Sequence, residues 1–176
     1  LSEIVLIAED GTEILIEGPS VTVPAKDEND NDVSHTVSSR VILAKHDLGT
    51  EMYDLGSVLT GDYTGIKFKV GVDGQDNRID ASQVPSTHAL AKQTDKNNHW
   101  NWSNGYIYLR IDGLADSDGD GTPDELFETH LGKTTFLREV DLSTTFELNE
   151  DEHTIHVMVD YAHILNLVDL SDSTQL

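Results

Sequence analysis

The sequence predicts an all-β chain, an antiparallel β-sandwich with long loops and little helix. Three observations carry this reading. Short runs of β-branched and aromatic residues are broken by Gly, Asp and Asn. Ile66, Phe68, Val70 and Val72 alternate with Lys67 and Lys69, a period of two. The polar stretches between such runs show no helical period.

The elements follow in order. Glu3 to Ala8 reads as a strand, Asp10-Gly11 as a tight type I′ turn, and Thr12 to Glu17 as the return strand. Val21 and Val23 alternate before Pro24, and Lys26 to Asp32 is a solvated loop. Val33 to Lys45 returns to β-type residues, and breaks at Asp54-Leu55-Gly56 and Gly61-Asp62 precede the strand Thr64 to Val72. Asp73 to Asn101 reads as a long loop, too polar for core, of the length that is usually functional or disordered. Gly105 to Ile111, Phe136 to Leu142, Thr145 to Leu148 and Thr154 to Tyr161 complete the strands, and Tyr161 to Val168 suits one short helix. No repeat or linker divides the chain, so residues 1–176 are expected to form one domain.

Composition narrows the function. There are 33 acidic residues against 11 basic ones, a net charge of −22. That balance excludes nucleic acid as a partner and disfavours an anionic membrane surface, because both need Lys and Arg. It suits the capture of cations. The absence of cysteine excludes disulfides, thiolate metal sites and a Cys nucleophile. No apolar run approaches the ~20 residues of a membrane span, so no transmembrane segment is expected. Leu1 to Ile4 carries no basic region and no initiator Met, and reads as a mature or truncated end with any signal peptide removed.

Asp116-Ser117-Asp118-Gly119-Asp120-Gly121-Thr122-Pro123-Asp124-Glu125 is the most specific local motif. Carboxylates at alternate positions, followed by Gly and a carbonyl donor, form a calcium-loop pattern. Asp116, Asp118 and Asp120 supply side-chain oxygens, Thr122 a backbone oxygen, and Asp124 or Glu125 completes the shell. Phe127 stands where an EF-hand needs Glu, so the loop is closer to those of thrombospondin-type and dockerin repeats. A looser acidic stretch, with Asp73, Asp76 and Asp80, is a second calcium candidate that Arg78 could neutralise instead.

Both tryptophans sit in Asn98-His99-Trp100-Asn101-Trp102-Ser103-Asn104-Gly105-Tyr106. In an extended chain Trp100 and Trp102 face one side and His99 the other. From composition alone the rings are core anchors for a strand entry. Three blocks in order widen the context: Asp62-Tyr63-Thr64-Gly65-Ile66…Val70-Gly71-Val72-Asp73, then His99-Trp100-Asn101-Trp102…Gly105-Tyr106, then Thr129-His130-Leu131-Gly132.

In these blocks the chain resembles the MbnP-like family of copper-binding proteins of methane-oxidising bacteria (methanotrophs), which includes the MopE-type and copper-repressible CorA-type proteins. The resemblance spans roughly residues 1–165. It implies a protein that is secreted, periplasmic or at the cell surface in association with the outer membrane. It implies one mononuclear Cu(I) held by two His imidazoles and a kynurenine made from Trp, with a diheme peroxidase-like partner associated with that oxidation. Carried over, the ligands are His99, Trp100 or Trp102, and His130. Neither tryptophan has a His two residues on, and Met52 and Met158 lie away from the block. The second imidazole is therefore open among His99, His35, His88, His156 and His163.

No nucleophile elbow, zinc-protease helix or phosphate loop is present, and no carboxylate pair stands out for glycoside hydrolysis, so no enzymatic activity is expected. The alternative to copper binding is a calcium-stabilised carbohydrate-binding or adhesion module, with Trp100 and Trp102 stacking on sugar rings.

Overall fold

The computed structural model describes residues 1–45, 52–94, 97–101 and 104–165. Among the described residues nine strands, all paired antiparallel, build an open sandwich. The strands are β1 Ser2–Ala8, β2 Glu13–Leu15, β3 Glu17–Lys26, β4 Asp32–Ser39, β5 Gly61–Val70, β6 His99–Asn101, β7 Gly105–Ala115, β8 Glu125–Gly132 and β9 Arg138–Leu148. They form a four-stranded sheet in the order β2-β1-β5-β9, a β3-β4 ribbon, and a three-stranded sheet β6-β7-β8. Among the described residues helix is confined to two short 3-10 turns and α1, Tyr161–Leu165; residues 166–168 of the expected helix lie outside them.

The period of two does what the sequence predicts for Ile66, Phe68 and Val70, while Val72 lies beyond the end of β5 and packs in a separate cluster. Ile66 and Phe68 are buried against Ile4, Leu6, Ile16, Tyr63 and Leu148. On the other face Lys67 donates to Glu13 at 2.7 Å and Lys69 to Asp73 at 2.7 Å. Tyr63 stacks on Phe146, ring centroids 5.5 Å apart, and ties β9 into the same core. The first hairpin also forms, but through a three-residue loop. Gly11 donates to Ala8 O, Ala8 donates to Thr12 O, and positive φ falls on Gly11 (85°) and not on Asp10. This is a turn closed by a left-handed glycine bulge and not a type I′ turn. The Asp10 carboxylate accepts from Thr12 N and fixes the chain at ordinary φ.

Asp73 to Asn98 is a long connection as expected, with one 3-10 turn among its described residues, but the expectation that it is too polar for core is overturned. Ile79, Ala81, Val84, Leu90 and Ala91 are buried, and they pack with Val23, Ala25, Val37, Val72 and Tyr106 into a second core cluster. Their spacing follows neither two nor 3.6, so no period reveals them. The backbone they carry is closed locally instead. Asp80 accepts from Ser82 N, and buried Asn98 accepts from Gln93 N and donates to Ala91 O. Elsewhere Phe136 lies in a 3-10 turn, and Arg138–Leu148 is one continuous strand where two were expected. Residues 154–160 form no strand, although Ile155 packs against the first core.

Candidate metal centre

The sheet β6-β7-β8 carries the Trp–His block and the His-Leu-Gly block side by side. Its pairing is interrupted at Tyr108. Ile107 faces Gly132, Leu109 faces Leu131, and Arg110 faces His130. One extra residue in β7 therefore shifts the alternation, as a β-bulge does. Before the bulge Tyr106 points into the core and donates its hydroxyl to Leu90 O at 2.6 Å. After it, Arg110 and Asp112 join His130 and Glu128 on the opposite face. Without the bulge they would share the face of Tyr106.

Four groups meet on that outer face. The ligating atoms of Asp112, Glu128 and His130 lie within 4.8 Å of one another. His130 Nε2 is 2.8 Å from Asp112 Oδ1, and Arg110 Nε donates to Asp112 Oδ2. Burial works to raise the Asp112 carboxyl, but the bonds from Arg110 and His130 outweigh it and hold the group below the ordinary range. Arg110 also donates to Asn97 O at 3.3 Å, which ties this face to the segment leading into β6.

Trp100 lies on the same face. A Cβ built on Gly132 would meet Trp100 Cζ3 at 2.5 Å and Cη2 at 2.8 Å, so the indole rests over Gly132. His130 precedes Gly132 by two residues on β8 and shares its face. Trp100 is half-buried and accessible from solvent. Trp102 lies outside the described residues.

His99 takes the other side. It is opposite Tyr106, its ring meeting the phenol edge-on with centroids 4.7 Å apart, and it is buried. Its Nε2 has no hydrogen-bond partner. Burial, with Lys92 adding, pushes its pKa down. His99 and His130 thus occupy opposite faces and do not converge. The remaining histidines are held elsewhere. His35 Nε2 meets Asp76 Oδ1 at 2.6 Å. His88 Nδ1 accepts from Leu90 N at 3.1 Å, which places the neutral ring's proton on Nε2, and burial lowers its pKa. His156 and His163 are exposed. Among the described residues, no second histidine joins the group around His130.

The acidic loop curls as its spacing requires. Asp116, Asp118 and Asp120 bring ligating oxygens within 4.8 Å of one another. Asp116 accepts from the backbone N–H groups of Gly119, Asp120 and Gly121, and Asp120 accepts from Thr122 N. Asp124 N donates to Ala115 O and closes the base, while Thr122, Asp124 and Glu125 are exposed. In the looser acidic stretch each carboxylate has its own partner: Asp73 with Lys69, Asp76 with His35, Asp80 with Ser82. The three are not gathered into one group.

Sequence reading missed Asp112, Glu128, Arg110 and Gly132. A signal existed, since Arg110-Ile111-Asp112 and Glu128-Thr129-His130 are polar pairs two apart in strand-like runs. What no pattern shows is the bulge that turns both pairs to one face.

Among the described residues no helix is long and apolar enough to cross a membrane. Comparison with curated proteins and with solved structures returned no match. The family model for MbnP, a methanobactin-related, copper-associated family, matches residues 1–175. Covering nearly the whole chain, and with it both the Trp–His and His-Leu-Gly blocks, the match shows that this protein belongs to the MbnP family.

Proposed function

We propose that this chain is an extracytoplasmic copper-binding protein that carries one Cu(I) as cargo, serving copper acquisition. The observation that carries the reading is the indole of Trp100 lying over Gly132 on the face that presents His130. An intact indole offers no lone-pair nitrogen, whereas kynurenine offers an aromatic amine. Oxidation of Trp100, accessible at the sheet surface, would place that amine beside the His130 imidazole. Nitrogen donors in low number suit Cu(I). The oxidant belongs to a diheme peroxidase-like partner, and attachment is at the cell surface or outer membrane. The second imidazole comes from outside the present cluster. His99 does not supply it as the sheet stands, since it is buried against Tyr106 on the opposite face.

The loop at 116–125 is the structural calcium site in this reading. Hard carboxylate oxygens within 4.8 Å fit a hard cation. The site pins the excursion between β7 and β8 and so supports the face that holds His130.

Competition against a Cu(I) chelator tests the copper reading. Protein from its source binds one Cu(I) tightly, and Trp100→Phe or His130→Ala lowers the affinity at least about tenfold. Equal affinity in both variants would overturn it. A sugar-binding module would instead show Trp fluorescence shifts with glycans and indifference to copper.

A further inference from the structure

We infer that Asp112, Glu128 and His130 form a mononuclear site for a divalent transition-metal ion, with Cu²⁺ its preferred occupant. Two carboxylates and one imidazole are hard to borderline donors, which favour divalent ions over soft Cu(I). Among first-row divalent ions such a set binds Cu²⁺ most strongly, by the Irving–Williams order. The donor set therefore differs in chemistry from the Cu(I) site proposed around Trp100, although the two would share His130.

The geometry supports a site more than a chance ion pair. All three donors stand on paired strands, with Asp112 directly opposite Glu128 and His130 directly opposite Arg110, so the β7-β8 ladder fixes their spacing. Carboxylates directly opposite one another on a sheet repel. Here they stay within 4.8 Å of each other and of an imidazole nitrogen. Arg110 offsets part of that charge, through Nε on Asp112 and through Nη2 3.9 Å from Glu128. Two carboxylates stand against one guanidinium beside the imidazole. His130 Nε2 and Asp112 Oδ1, 2.8 Å apart, now share a proton, and a metal ion would take its place between them. Arg110 has another acceptor in Asn97 O, so its guanidinium can swing from Asp112 without losing every partner. The cluster lies at the surface, and an ion enters without opening the fold.

The inference needs no modified tryptophan, so recombinant chain stripped with chelator tests it. Cu²⁺ titration followed by electron paramagnetic resonance, with Zn²⁺ competition by calorimetry, reads the site. One Cu²⁺ per chain, bound more tightly than Zn²⁺ and coupled to a single imidazole nitrogen, is expected. Asp112→Asn and Glu128→Gln, each checked for an unchanged circular dichroism spectrum, weaken Cu²⁺ at least about tenfold. Asp151→Asn, at an exposed position after β9, leaves it unchanged. Unaltered binding in both cluster variants, or a signal with two or more imidazole nitrogens, would overturn the assignment. Tight Cu(I) binding by protein from its source, beside such a result, would show that its failure leaves the Cu(I) reading standing.

Discussion

Gly132→Ala tests the packing on which the proposed copper site depends. In a strand, replacing Gly by Ala ordinarily gains roughly 0.5–1 kcal/mol from backbone entropy. At Gly132 the new methyl would sit 2.5 Å from Trp100 Cζ3 and 2.7 Å from Tyr106 O, where ordinary contact begins at 3.4 Å. The indole can rotate away, but Tyr106 O belongs to the paired strand β7 and cannot. Overpacking of this kind costs about 1–3 kcal/mol, which exceeds the entropic gain. A net loss of about 1–2 kcal/mol should lower Tm by roughly 2–8 °C for a chain of this size. Urea unfolding and thermal melts read the loss, and a red-shifted Trp emission reports the displaced indole. Trp100→Ala in the same background should cost less than in the parent chain, because the two groups compete for one volume. A Gly132→Ala protein as stable as its parent, with additive behaviour in the double variant, would refute the placement of Trp100 over Gly132.

Three other outcomes follow from the same structure. Tyr106→Phe leaves the buried Leu90 carbonyl without its donor, so stability should fall by about 1–3 kcal/mol in urea unfolding; an unchanged midpoint would contradict the buried bond. Calcium chelation should lower Tm, and Asp116→Ala, which strips Gly119 N and Gly121 N of their acceptor, should abolish that response; a chelator-insensitive parent would reduce the loop to an acidic turn. Burial holds the pKa of both His99 and His88 below the unfolded value near ~6.5. The unfolded chain then takes up protons first as pH drops, so stability is full above ~6.5 and declines as pH falls from there toward the folded values. His99→Leu should flatten part of that decline between urea midpoints at pH 7.5 and 5.5, and an identical slope in parent and variant would contradict the burial of His99.

Legibility in the sequence tracked periodicity. Ile66 and Phe68 announce β5 because a half-buried strand must alternate, and Asp10-Gly11 marks a hairpin because Gly accepts positive φ. The turn type was not legible, since it depends on which of the two residues takes that φ. Ile79, Val84 and Leu90 were lost among polar neighbours because irregular backbone buries side chains at no fixed interval. Thr154 to Tyr161 shows the reverse case: alternation is present, yet no strand partner is taken. At the site, the Trp–His and His-Leu-Gly blocks were visible as motifs, and the structure sets Trp100 and His130 on one face. His99 fell on the other, behind Tyr106. Asp112 and Glu128 were hidden because a single bulged residue decides which face they share with His130.

The central claim is a copper site made from Trp100 and His130, and mass spectrometry with metal analysis of protein from its source tests it most directly. The account predicts one copper per chain and a gain of about 4 Da, the change from Trp to kynurenine, located on Trp100 by fragmentation. Copper-free protein with both tryptophans intact would contradict it.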